Sequence, residues 1–153
     1  MEKATFGVGC FWGPEETFRK VDGVTSTSVG YMGGSLENPT YEEVCTGRTG
    51  HAEVVDVEFD PSRIAYEELL QIFWACHDPT TLNRQGPDFG TQYRSVLFFY
   101  GPEQEAVARA SLEEFERSGR HRREIVTEIT PASKYYPAEE YHQRYLEKRR
   151  RRW

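Results

Sequence analysis

The sequence predicts an α+β domain, a two-layer α/β sandwich around a mixed sheet, rather than a doubly wound parallel sheet. Strand-like and helix-like segments follow one another in an irregular order, without a strict βαβ repeat. The length of 153 residues is typical of one domain and allows a core without disulfide or metal staples. We therefore expect a single domain over residues 1–153.

The predicted elements of the N-terminal half rest on alternating apolar residues in the strands and on Pro in the first turn of the first helix. They are a strand at 4–9, a helix opened by Gly13 and Pro14, a strand at 24–31, a short helix from Tyr41 and a strand at 53–59.

The C-terminal half is predicted from helical periodicity, from helix-opening prolines and from a long polar stretch rich in turn formers. Its elements are a helix at 66–77, a loop at 80–92, a strand at 94–99, a helix at 101–118, a strand at 124–129, a helix from Pro137 to about residue 149 and a basic tail from about 146.

Composition and charge exclude several classes of function. No apolar run approaches the roughly 18 residues of a membrane helix, and no basic n-region with a small-residue cleavage site opens the chain, so we expect a cytoplasmic protein. The net charge of −6 combines an acidic body with a basic run at 148–152, which we interpret as a solvated terminus and not as a nucleic-acid site. We expect a monomer.

The three cysteines, Cys10, Cys45 and Cys76, form an odd set without CxxC spacing, which argues against a disulfide framework and against a metal site. Cys10 lies at a strand-to-helix junction, where the N–H groups of the first helical turn should lower its pKa. The residue alone fits a reactive thiolate or a small buried side chain equally well. Two aromatic residues between glycines, Phe11 and Trp12, favour a nucleophile beside an apolar pocket.

The same segment carries a resemblance to a known family. Gly9-Cys10-Phe11-Trp12-Gly13 with Glu15 resembles the signature of the peptide methionine-S-sulfoxide reductases, the A class. Further blocks at 30–34, 38–47, 49–53, 77–79 and 85–95 match the family in order and spacing. The resemblance implies the peptide methionine sulfoxide reductase fold with a ferredoxin-like core, and reduction of methionine-S-sulfoxide, free or in proteins, to methionine.

The resemblance also assigns roles within the site. Cys10 would attack the sulfoxide sulfur as a thiolate and become a sulfenic acid, while Glu53 acts as the acid. Desolvation beside an aromatic pocket should raise the pKa of Glu53 and keep it protonated. The remaining assignments are hydroxyl hydrogen bonds to the sulfoxide oxygen from Tyr41 and Tyr93, a contact to the substrate main chain from Asp88, and a methyl pocket from Phe11 and Trp12.

The thiol that reduces the sulfenic acid is left open by the sequence. Many relatives carry resolving cysteines in a Gly-rich C-terminal extension, and no cysteine follows Cys76 here. Cys45 shares a helical face with Tyr41 and is one alternative, whereas Cys76 reads as a buried, inert thiol. We favour direct attack by an external thiol reductant, namely thioredoxin, glutaredoxin or glutathione, without a bound cofactor.

Two other functions compete with this interpretation. A cysteine hydrolase would use one of the four histidines, His51, His77, His121 or His142, as its base, although their spacing selects none of them. A non-catalytic module would bind methionine-containing peptides through Phe11 and Trp12.

Overall fold

A six-stranded mixed sheet with helices packed on one face forms the fold. It was obtained as a computed structural model, which describes residues 1–121 and 123–151. The strands are β1 Glu2–Val8, β2 Val24–Met32, β3 Ala52–Phe59, β4 Arg84–Gln85, β5 Asp88–Phe89, β6 Ser95–Phe99, β7 Glu128–Pro131 and β8 Tyr136–Pro137. The helices are α1 Trp12–Arg19, α2 Tyr41–Cys45, α3 Tyr66–Ala75, α4 Gly101–Arg117 and α5 Tyr145–Arg151, with 3₁₀ turns at Thr91–Tyr93 and Glu140–His142.

The strand order of the large sheet is β7-β6-β1-β3-β2-β8, and β4 pairs with β5 in a separate hairpin. Every neighbouring pair of the large sheet is antiparallel except β6 and β7. Its four central strands, β6-β1-β3-β2, have α1 as the connection from β1 to β2 and α3 within the connection from β3 to β6. This is a ferredoxin-like arrangement, and the predicted two-layer α+β fold is confirmed.

The main hydrophobic core lies between the sheet and the helices. Phe6 of β1 stacks on Phe18 of α1 with ring centroids 4.8 Å apart, and Phe73 of α3 also packs against the Phe6 ring. Val55 and Val57 of β3 belong to this core. Because side chains alternate along a strand, Glu53 points to the same helical face as these two valines.

A second, smaller cluster covers the opposite face of the sheet. Met32, Val54 and Phe98 are fully or almost fully buried there, and Ala132 and Tyr135 from the C-terminal segment pack against them. The segment that follows β7 therefore serves as the cover of this face.

The C-terminal segment differs most from the prediction. The expected helix from Pro137 is wrong over its first half, because Pro137 lies in β8 and pairs with Gly30. Arg144 has a left-handed backbone (φ 49), which an α-helix does not accommodate, so α5 begins only at Tyr145. Of the predicted basic tail, Arg152 and Trp153 lie outside the described residues.

Two smaller boundaries also moved. The strand expected at 124–129 begins at Glu128, and the long loop at 80–92 contains the β4–β5 hairpin and the start of a 3₁₀ turn. Within the ranges that the structure describes, no helix combines the length and the hydropathy needed to cross a membrane.

Candidate active site

Cys10 lies in the tight bend between β1 and α1. The bend depends on Gly9, whose backbone is left-handed (φ 92) and whose Cα faces the side chain of Gln85. A Cβ at this position would lie 2.7 Å from two Gln85 carbons, closer than van der Waals contact allows. The glycine therefore lets the β4–β5 hairpin approach the residue just before Cys10.

The protonation state of Cys10 differs from the expectation. Burial raises the pKa of its thiol to about 11, and the charges of Glu53 and Asp88 act in the same direction. The backbone N–H of Trp12 does lower this pKa, as a helix N-terminus should, but desolvation is the larger effect. The predicted lowering is therefore wrong for the free protein, and the resting group at neutral pH is a thiol.

Glu53 sits beside Cys10 as an isolated buried carboxyl. The residue is 1% exposed, and neither carboxyl oxygen has a hydrogen-bond partner among the described residues. Burial raises its pKa to about 8, with a smaller contribution from Asp88, although the backbone N–H of Phe11 favours the charged form. The direction agrees with the expectation, and Glu53 is a neutral carboxylic acid at pH 7.

Tyr41 and Tyr93 reach the same place from two different elements. Tyr41 opens α2, which is held by a capping box in which the Thr40 hydroxyl accepts from the N–H of Glu43. Burial raises the pKa of both tyrosines, to about 12 for Tyr93, and the charge of Glu53 adds to the effect in each. Both hydroxyls therefore stay protonated and can donate hydrogen bonds over the physiological range of pH.

Cys45 also belongs to this neighbourhood. It ends α2 and is exposed. Its pKa is raised, chiefly by partial desolvation, while the Tyr41 hydroxyl acts in the opposite direction. Cys76 lies apart at the end of α3, where burial raises the pKa of its thiol to about 12. The sequence-based interpretation of Cys76 as an unreactive thiol fits this environment.

Asp88 is carried by the hairpin. The Gln85 side chain accepts from the N–H of Asp78 at 2.7 Å and donates to the Asp78 carbonyl at 2.8 Å, which ties the hairpin to the end of α3. Asp88 is half-buried, and its charge raises the pKa of Cys10 and of Glu53. The structure thus brings Asp88 to the same site as the other predicted residues.

Phe11 and Trp12 follow Cys10, and both rings contact the imidazole of His142. Phe11 is buried, with its ring centroid 5.3 Å from that of His142. Trp12 is half-buried, stacks on Tyr145 at 3.9 Å and 13°, and donates its indole N–H to His142 Nδ1 at 3.0 Å. The two aromatic side chains are therefore rigidly held next to the nucleophile.

A C-terminal clasp, residues 139–144, connects the elements around the site. Glu139 accepts from the Tyr31 hydroxyl at 3.0 Å and from the N–H of Tyr41 at 2.9 Å. Gln143 donates to and accepts from the backbone of Val29. Sequence reasoning missed this clasp because it predicted one helix from Pro137 to about residue 149. The sequence carried no signal against a helix, because Ala138, Tyr141 and Tyr145 recur at helical spacing.

Three histidines of the hydrolase alternative are already engaged. Both ring nitrogens of His51 bond the backbone, at Gly34 and Leu36, and those of His77 bond the Phe73 carbonyl and the Ser95 hydroxyl. Burial lowers the pKa of His77 to about 4, so it stays neutral. Nδ1 of His142 already accepts the indole N–H of Trp12. His51, His77 and His142 therefore offer no free acceptor nitrogen beside Cys10 that could act as a base.

The arrangement combines a half-buried thiol, a protonated carboxyl and two hydroxyl donors. Such a set can attack an electrophilic centre and deliver a proton to an oxygen on it. In the part of the chain that the structure describes, no group of three or more His, Cys, Asp or Glu side chains is placed to hold a metal ion.

Comparison with known proteins agrees with this chemistry. The family model described as peptide methionine sulfoxide reductase matches residues 2–153. The chain is 67% identical over 149 residues to the peptide methionine sulfoxide reductase MsrA of Geobacter sulfurreducens, covering 97% of this chain and 92% of that protein. It is also 67% identical over 151 residues to the MsrA of Methanothermobacter thermautotrophicus, covering 99% and 89%.

Solved structures lead to the same family. Reduced Mxr1 of Saccharomyces cerevisiae superposes with a TM-score of 0.90 at 40% identity, covering 96% of this chain and 84% of Mxr1. Methionine sulfoxide reductase A of Corynebacterium diphtheriae gives a TM-score of 0.86 at 44% identity, covering 96% and 74%. Sequence, fold and site converge, and the chain belongs to the peptide methionine sulfoxide reductase family.

Proposed function

We propose that the protein reduces methionine-S-sulfoxide, free and within peptides and proteins, to methionine, and so repairs oxidised proteins. Cys10 is the nucleophile and Glu53 the acid. The observation that carries the proposal is the Glu53 carboxyl, buried beside the Cys10 thiol with both oxygens unpartnered among the described residues. A sulfoxide oxygen leaves only after protonation, and a neutral carboxylic acid in a dry site can supply the proton.

The two carboxyl oxygens of Glu53 permit a proton relay. One oxygen donates its proton to the sulfoxide oxygen while the other accepts the proton of the Cys10 thiol, and Sγ bonds to the substrate sulfur. Tyr41 and Tyr93 donate hydrogen bonds to the oxygen as its charge changes. Glu53 is a carboxylic acid before and after this step, which suits its raised pKa. Phe11 and Trp12 would enclose the substrate methyl, and Asp88 would contact the substrate main chain.

The second half of the reaction transfers the oxygen and restores the thiol. The oxygen moves from the substrate sulfur to Cys10 Sγ, which leaves methionine and a Cys10 sulfenic acid. A first external thiol condenses with the sulfenic acid, releasing water and forming a mixed disulfide. A second thiol opens that disulfide and returns Cys10 to the thiol.

The reductant and setting complete the proposal. Yeast Mxr1 has been solved in complex with Trx2, which supports thioredoxin as the external reductant of this chain, with glutaredoxin or glutathione as alternatives. Cys10, Cys45 and Cys76 are all free, as in a reducing compartment, and we place the reaction in the cytoplasm. We further propose that the chain forms one domain, because residues of β1, β2, β3 and β6 share the main core, and that it acts as a monomer.

The test is turnover of separated S and R epimers of a methionine sulfoxide peptide with dithiothreitol. We expect reduction of the S epimer alone by the parent protein, loss of turnover in Cys10→Ser, and full turnover in the matched control Cys76→Ser. Folded parent protein that reduces neither epimer would refute the proposal. Peptide binding that survives Cys10→Ser without any turnover would instead support a binding module.

A further inference from the structure

We propose that His142 is a positioning residue of the substrate pocket, which sets the orientation of Trp12 by accepting the indole N–H at its Nδ1. This inference rests on the proposed function, because it assigns Trp12 to the pocket that encloses the substrate methyl. Nothing in the sequence marked His142 as more than one of four candidate bases.

The contacts of His142 place it between the walls of the site. The residue is 1% exposed, and its Nδ1 accepts from Trp12 Nε1 at 3.0 Å. Its ring centroid is 4.4 Å from that of Tyr41 and 5.3 Å from that of Phe11. One buried imidazole therefore contacts three residues that surround the nucleophile.

Two restraints together determine the position and orientation of the Trp12 indole ring. Stacking on Tyr145, at 3.9 Å and 13°, leaves the Trp12 ring free to slide and rotate within its own plane. The directional hydrogen bond to His142 removes this freedom, since N–H donors weaken steeply away from linear geometry. Loss of the acceptor would leave the ring stacked but misaligned over the pocket.

The protonation state of His142 supports this role. An Nδ1 that accepts a hydrogen bond requires the neutral ring with its proton on Nε2. Burial lowers the pKa of His142, while the charge of Glu139 partly offsets the effect. The acceptor is therefore available at neutral pH, and Nε2 is buried without a partner in the described structure.

The clasp holds His142 in place through its neighbours on both sides. Glu139 bonds the N–H of Tyr41, and the Gln143 amide donates to the carbonyls of Val29 and Ala138 at 2.8 and 3.0 Å. The N–H of Arg144 donates to the buried Glu15 carboxylate at 2.7 Å. His142 is thus attached to a rigid frame rather than to a free terminus, which a positioning residue requires.

Two substitutions separate the hydrogen bond from ring packing. His142→Phe keeps an aromatic ring of similar shape but removes the acceptor. His142→Asn loses the ring, yet its Oδ1 lies the same number of bonds from Cα as Nδ1 and can accept the indole N–H. A positioning role predicts that the asparagine variant works better, and a packing role predicts the reverse.

The first arm of the experiment measures kcat and KM on an S-sulfoxide peptide, and the peptide Kd in a Cys10→Ser background. For His142→Phe we expect KM and Kd to rise about tenfold, the equivalent of one lost hydrogen bond of about 1.4 kcal/mol, with kcat within about threefold of the parent. His142→Asn should bring KM back to within about threefold of the parent. Thermal melting checks that both variants are folded.

The second arm observes the indole N–H groups directly in ¹H–¹⁵N correlation spectra. Trp12→Phe identifies the Trp12 signal, and Trp74, which donates to Ser111 at 2.9 Å, serves as an internal reference. The Trp12 signal should move upfield in His142→Phe and return toward its parent position in His142→Asn, while the Trp74 signal stays unchanged.

Equal losses in both variants, or a larger loss in His142→Asn, with an unmoved Trp12 signal would overturn the positioning role. Failure of the proposed function is a separate outcome, because it appears as absence of turnover by the parent protein. In that case the Kd values in the Cys10→Ser background and the Trp12 signal still decide whether His142 orients the pocket.

Discussion

The proton relay through Glu53 makes a specific prediction for the dependence of the chemical step on pH. The relay needs Glu53 as an acid and Cys10 as a thiol in the same molecule. With pKa values of about 8 and about 11, both groups are protonated in most molecules below pH 8. The rate should therefore be level through neutral pH and fall as pH rises through the pKa of Glu53.

The magnitude follows from the ionisation of Glu53. With a pKa of about 8, roughly nine molecules in ten carry the protonated carboxyl at pH 7 and roughly one in ten at pH 9. We expect the rate to fall about tenfold between these two values of pH. Glu53→Gln cannot transfer a proton, so its rate should be about 10²- to 10⁴-fold lower, the usual contribution of general acid catalysis. The rate of this variant should also no longer decrease near pH 8.

The assay must exclude the ionisation of the reductant. Reduced enzyme in excess over an S-sulfoxide peptide, without added thiol, reports a single turnover, and the methionine peptide formed is quantified by chromatography. Cys76→Ser is the matched control, because it removes a thiol outside the site and should reproduce the parent profile.

One result would refute the relay. The alternative is that the Cys10 thiolate attacks while Glu53 is protonated. The fraction of molecules with both groups in these states would increase about tenfold per pH unit up to pH 8 and then stay level until about pH 11. A rate that rises with pH between 6 and 8 therefore excludes a thiol as the attacking species and requires prior deprotonation of Cys10.

Three further predictions concern Glu53, Gly9 and Cys10. Folding raises the pKa of Glu53 from 4.5 to about 8. The protonated carboxyl therefore costs no stability below pH 4.5, but its ionisation destabilises the folded protein increasingly as pH rises toward 8. Glu53→Gln removes this penalty and should raise the Tm by more than about 5 °C at pH 8 and by less at pH 5. Gly9→Ala should lower the free energy of unfolding by about 1–3 kcal/mol, measured with denaturant, and should lower kcat/KM, because the Gly9 backbone is left-handed (φ 92). Gly13→Ala is the matched control: a Cβ there meets open space, so neither quantity should change. After one turnover without reductant, thiol titration should find two of the three thiols, since Cys10 alone is oxidised. Finding only one would show that a second cysteine of the chain had condensed with Cys10.

The fold was predictable where burial imposes a period on the sequence. The strand around Val55 and Val57 alternates because one face meets helices, and α3 and α4 carry apolar stripes that only a helix brings together. The clasp was not predictable in this way. Its polar residues act through single hydrogen bonds to distant strands, as Gln143 does with Val29, and such pairings leave no local period in the sequence.

The site was predictable in its members but not in its electrostatics. The motif around Cys10 and the block around Glu53 identify a thiol and a carboxyl, whereas their pKa values depend on how much water the surrounding rings exclude. For Cys10 the helix N-terminus was the visible local effect, and desolvation, which depends on the whole fold, outweighs it.

The raised pKa of Cys10 and that of Glu53 have one physical origin and serve one purpose. A dry site disfavours each charge separately, and two anions side by side would disfavour each other further, as the effect of Glu53 on Cys10 shows. A neutral pair with no charge to solvate can instead receive a polar but uncharged sulfoxide. Proton transfer to the substrate oxygen then occurs where water cannot compete for the proton. Burial of the Glu53 carboxyl without a hydrogen-bond partner among the described residues therefore favours catalysis, although it lowers the stability of the fold.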